Sequence, residues 1–116
     1  MHKLFISMPM RGLSAEEIKK EFGEAKAEAE RIMGFEMEVL DTLFDMPEET
    51  HPLAYLGESI KKMAEANIVY FHNGWKQARG CFVEHVAAMK YGKYIIGFGQ
   101  ESIADSLKRM EQEGDG

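Results

Sequence analysis

The sequence predicts an α/β domain: a small doubly wound parallel sheet of four to five strands with helices on both faces, Rossmann-like or flavodoxin-like in type. Three observations predict it. Apolar runs too short for helices alternate with longer segments of helical periodicity. The resulting order is β-α-β-α-β-α-β-α, and helices between strands imply parallel pairing with right-handed crossovers. The 116 residues carry no internal repeat or linker and suit a single domain, 1–116.

Each element has its own signal. His2 to Met8 is an apolar run that stops at Pro9, which reads as a buried first strand. Met10 to Leu13 is a turn. Ser14-Ala15-Glu16-Glu17 has the form of a capping box. Ile18, Phe22, Ala25, Ala29 and Ile32 then recur at spacings of four, three, four and three, one helical face that Gly34 ends. Phe35 to Asp41 alternates apolar and acidic residues, as a half-exposed edge strand does. Thr42 to Pro52 holds three acids and two prolines and reads as a loop. A helix follows, with Leu53, Leu56, Ile60 and Met63 on one side. Asn67 to Phe71 is the clearest buried strand, and His72-Asn73-Gly74-Trp75 breaks it with turn chemistry. Gly80 to Tyr91 is helical, with Phe82, Val83, Val86 and Ala87 expected inward. Gly92 ends it, and Lys93 to Phe98 is a fourth strand. Gln100 to Gln112 is a last amphipathic helix, and Glu113 to Gly116 is expected to fray.

Composition narrows the function. Hydrophobic residues make up 45% and charged residues 29%, which are globular proportions. No stretch approaches the roughly 20 apolar residues of a membrane span. The net charge of -6 lacks the basic field that a nucleic-acid polymer requires, although a local basic site stays open. Cys81 is the lone cysteine, so no intrachain disulfide or cysteine-rich zinc site can form. With no signal-peptide h-region, these features predict a reduced, cytoplasmic setting.

In doubly wound sheets ligands bind outside the carboxyl ends of the strands. That rule selects Ser7 to Gly12, Asp41 to Asp45 and His72 to Gly80. Arg11 and Gly12 lie at a strand-to-helix turn, where free amides and a guanidinium suit a phosphate or carboxylate. An ordinary solvated turn accounts for them equally well. The spacing matches neither a Walker loop nor a G-x-G-x-x-G fingerprint. Glu84 lies about one turn into the following helix among apolar residues. It is either a nucleophile or general base at a cleft, or a side chain that faces solvent or pairs with Arg79. Trp75 either stacks on a base or covers the sheet edge. Asp41 belongs to a solvated acidic loop or faces a ligand. No metal site is expected from His72 and His85, and no cofactor.

Lys3-Leu4-Phe5-Ile6-Ser7-Met8-Pro9, Ala66-Asn67-Ile68-Val69, Ala78 to Ala87 and Gly92-Lys93-Tyr94-Ile95-Ile96 follow one pattern. Their order and spacing resemble the nucleoside 2-deoxyribosyltransferase superfamily over roughly residues 3 to 98, including its small phage and bacterial members of unassigned function. The resemblance implies cleavage of the N-glycosidic bond of a 2′-deoxynucleoside or its 5′-phosphate. It implies Glu84 as the nucleophile that holds the deoxyribosyl group until water or another base takes it. In the 2′-deoxynucleoside 5′-phosphate N-hydrolases an arginine and a glycine follow strand one, where Arg11 and Gly12 stand here. The expected ligand contacts are therefore Phe5, Ser7, Met8, Arg11, Gly12, Asp41, Asn73, Gly74, Trp75, Arg79 and Gly80. Relatives commonly form oligomers, which implies a homodimer or larger, with strand two and Met8-Pro9-Met10 as candidate contacts. The chain departs from the pattern at three polar positions. Phe5 replaces a tyrosine that helps hold the nucleophile, Ala78 an aspartate or serine, and Asn67 an acid. Those losses motivate a second reading, a non-catalytic nucleotide-binding or sequestering module. A third is a protein-interaction domain.

Overall fold

In a computed structural model, which describes residues 1–114, β1 (His2–Ser7) passes through the Met10–Leu13 turn into α1 (Ala15–Met33). The capping box forms: the Glu17 amide donates to Ser14 Oγ and the Ser14 amide to Glu17 Oε1, each at 3.1 Å. Gly34 ends the helix at φ 86°, where an L side chain is strained. Next come β2 (Met37–Val39), α2 (Pro52–Met63), β3 (Ile68–Phe71), a 3₁₀ turn (Trp75–Gln77), α3 (Arg79–Lys90), β4 (Tyr94–Gly97) and α4 (Ile103–Gly114).

The sheet has four parallel strands in the order β2-β1-β3-β4. From β1 the chain steps one way to β2, then crosses back to β3 and on to β4. Right-handed crossovers therefore place α1 on one face and α2 and α3 on the other. Strand side chains alternate between those faces. Leu4, Ile6, Ile68, Tyr70 and Ile96 meet Ala25, Ala29 and Ile32 of α1. Phe5, Val69 and Phe71 face the other way, toward Met63 and Ala88. Ser7 shares the parity of Phe5 and so points toward α3. Ile18 and Phe22 pack at the margin of the first core, which completes the expected face of α1.

Several expectations need correction. β2 is three residues long rather than seven, because only Met37 to Val39 pair with β1. It does lie at a sheet edge. Met63 is buried as expected and Leu56 and Ile60 are half-buried, but Leu53 points outward and Ser59 is buried beside them. The face of α3 is rotated from the expected one: Cys81, Glu84 and Ala88 are buried, Ala87 is half-buried, and Phe82, Val83 and Val86 are exposed. Small side chains on the inner stripe let the helix approach the sheet, whereas bulkier apolar ones there would hold it off. Met8 is buried, whereas Pro9 and Met10 of the expected contact stretch are half-buried. α4 starts three residues later than expected and continues through Glu113 to Gly114; the expected fraying of residues 115–116 falls outside the described residues. Among the described residues no helix is long and apolar enough to cross a membrane.

Candidate functional site

The strand order reverses at β1, so the loops after β1 and β3 part and leave a crevice above their carboxyl ends. A cavity of about 600 Å³ lies there. One wall is the Met8–Arg11 turn, a second is Pro52, Tyr55, Leu56 and Ser59 of α2, and a third is Gly74 with Gln77 to Cys81. Gly74 lies at φ 84°, and a Cβ there would stand 3.5 Å from Pro9, so the two loops close on each other at this glycine.

Glu84 faces this cavity from the second turn of α3 and is 7% exposed. The Ser7 hydroxyl donates to Glu84 Oε1 at 3.0 Å, across the boundary between sheet and helix. Burial pushes the Glu84 carboxyl up to about 7, and the Ser7 hydrogen bond opposes part of that rise. The readings in which Glu84 faces solvent or pairs with Arg79 are overturned. Arg79 is exposed on the rim, as is Arg11, and among the described residues neither forms an ion pair. No side chain caps the first turn of α3, whose amides open beside Arg79 and Gly80. Burial also raises the Cys81 thiol, one turn before Glu84, and the neighbouring Ser7 hydroxyl moderates the rise.

The fold thus brings Met8, Arg11, Gly74, Arg79, Gly80 and Glu84 to one cavity, with Ser7 behind Glu84. It leaves five expected contacts outside the cavity wall. Phe5 is sealed in the core. Gly12 shapes its turn at φ 85°. Asp41 is exposed and accepts from the Leu43 amide at 3.0 Å. Asn73 is exposed in the turn after β3. Trp75 stacks on His85 with centroids 4.3 Å apart and packs on Phe71, so it covers the sheet edge. Tyr55, Leu56, Ser59 and Cys81 were not anticipated, and Gln77 only as part of the His72 to Gly80 segment. Ser59 alone left a trace in the sequence, as a hydroxyl interrupting the stripe of Leu56, Ile60 and Met63.

On the opposite face Glu21, Glu24 and His72 offer ligand atoms within 4.8 Å of one another. Both His72 nitrogens are already engaged, Nδ1 with the Tyr70 hydroxyl at 2.9 Å and Nε2 with Glu21 at 2.8 Å. His72 and Glu21 thereby tie the end of β3 to α1. Burial, reinforced by Glu28, raises the Tyr70 phenol and keeps it protonated.

A family model described as a domain of unknown function (DUF4406) matches residues 2–97. No curated protein and no solved structure matches the chain.

Proposed function

This chain belongs to the DUF4406 family, and we propose that it cleaves, or transfers at, the N-glycosidic bond of a 2′-deoxynucleoside 5′-monophosphate. One observation carries the reading: a carboxyl, Glu84, is buried at the base of a cavity beneath two unpaired guanidinium groups. Burying a carboxyl in this way is costly, and packing gives no return for it. The motif resemblance to the nucleoside 2-deoxyribosyltransferase superfamily supplies the reaction type.

Ser7 occupies Oε1 of Glu84, which leaves Oε2 to attack C1′ of the sugar on the side opposite the base. The C1′–N bond breaks, its electron pair departs with the base, and the base takes a proton from solvent. Water or a second base then attacks C1′ and gives up its proton to solvent, the sugar–carboxylate bond breaks, and Glu84 is released as the carboxylate. Two displacements retain configuration. Arg11, Arg79 and the open amides of α3 receive the 5′-phosphate. Each guanidinium contact to phosphate contributes about 1.5–3 kcal/mol.

A second reading, nucleotide binding without turnover, has its own observation. Among the described residues Ser7 is the single hydrogen-bond partner of Glu84, while Phe5 and Ala78 present no polar group to it. Incubating the protein with each deoxynucleoside and each 5′-monophosphate, beside Glu84→Ala, separates the two. Free base that appears with the wild type and vanishes with the variant is expected. No base from any substrate, with nucleotide binding detected by calorimetry, leaves only the second reading.

A further inference from the structure

We infer that Ser59 recognises the 3′-hydroxyl of the sugar and sets specificity for a free 3′ end, an inference that rests on the reaction proposed above. Ser59 is 6% exposed and lines the cavity from α2. Its hydroxyl has no hydrogen-bond partner among the described residues. Thr42 Oγ1 is the one sealed side-chain polar atom left without a partner there, so the Ser59 oxygen opens on the cavity.

The helix geometry places that hydroxyl near the reacting atoms. α2 and α3 both return from the carboxyl edge of a parallel sheet, so they run side by side in the same direction. They touch at Gly80, where a Cβ would lie 3.9 Å from Leu56 Cδ1. Ser59 is three residues beyond Leu56 and Glu84 four beyond Gly80, so each lies one turn deeper on facing helices. In a β-nucleoside the 3′-hydroxyl projects from the ring face opposite the base. That is the face an in-line nucleophile must approach. A sugar seated on Glu84 therefore turns its 3′-hydroxyl toward this depth of the cavity. Ser7 is already engaged by Glu84, and Arg11, Arg79 and Gln77 are exposed at the rim. Tyr55, also in this wall, lies four residues before Ser59 and so one turn nearer the mouth, which leaves Ser59 as the neutral hydroxyl at this depth to pair with the 3′-hydroxyl. A 3′-phosphate would crowd this wall, so the site takes a mononucleotide rather than an internal residue of a strand.

The test compares kcat/KM for base release from a 2′-deoxynucleoside 5′-monophosphate and from its 2′,3′-dideoxy counterpart. Wild type is expected to prefer the 3′-hydroxyl substrate by about tenfold or more. Ser59→Ala is expected to lose about tenfold on that substrate, keep its rate on the dideoxy one, and erase the preference. Equal wild-type rates on the two substrates, or a variant that slows both alike, overturns the Ser59 assignment and leaves the reaction standing. A wild type that releases base from neither substrate overturns the reaction and this inference together.

Discussion

Glu84 carries conflicting demands on stability and activity. Its carboxyl keeps its proton to about pH 7 in the fold, against an ordinary value of 4.5. Between those values the folded state binds more protons than the unfolded state, so stability falls as pH rises from 4.5 to about 7 and stays lowered above it. The full cost is on the order of 3 kcal/mol. Glu84→Gln is therefore expected to stabilise the protein by that order at pH 8 and hardly at all at pH 4.5. Denaturant titrations at both pH values check this, and a gain that ignores pH would contradict it. The same substitution removes the nucleophile, and base release should fall by about a thousandfold or more. Because attack needs the carboxylate, the wild-type rate should climb with pH through about 7. Ser7→Ala removes the hydrogen bond that favours the ionised form. The midpoint of the rate profile should then move upward by about one pH unit; a fixed midpoint would deny Ser7 that role.

Among the elements, α1 was the most legible in the sequence and α3 the least. The inner positions of α1 repeat at helical spacing, and Ala25 and Ala29 let it lie close against Ile6 and Tyr70. Ala29→Leu should overfill that contact and cost about 1–3 kcal/mol in thermal or denaturant unfolding; a neutral result would mean that α1 can rise from the sheet. In α3 hydrophobicity pointed the wrong way. Phe82, Val83, Val86 and Met89 are exposed while a carboxyl is buried. A residue's apolar character reports that something covers it, not whether the cover is its own sheet or another surface. At Asp41 and Trp75 the structure takes the alternative to a ligand contact that the sequence had left open. Their chain positions lie near the carboxyl edge, but side-chain direction and local bonding turned them to a loop amide and to His85.

For the whole molecule, the outer face of α3 is apolar and exposed at Phe82, Val83, Val86 and Met89. It runs on to exposed Leu53 of α2, past a smaller apolar hollow lined by Leu56 and Val83. Apolar residues exposed on one helix face are a candidate contact for the homodimer or larger assembly that the sequence leads one to expect. Light scattering should give at least twice the 13.2 kDa chain mass. Phe82→Ser with Val86→Ser should return the monomer without unfolding it; a monomeric wild type would dismiss that expectation. The alternation of short apolar runs with helical periods was enough to determine an α/β fold with a parallel sheet. It also pointed to the carboxyl edge and singled out Glu84, Arg11 and Arg79, which the fold brings to one cavity, since period, punctuation and charge are local properties of a chain. Which way Glu84 points, that Ser7 holds it, and that Ser59 of α2 shares its cavity were decided by tertiary structure. Those facts depend on the strand order and on how closely α2 and α3 approach at Gly80, and contacts between residues so far apart in sequence leave no periodic signature.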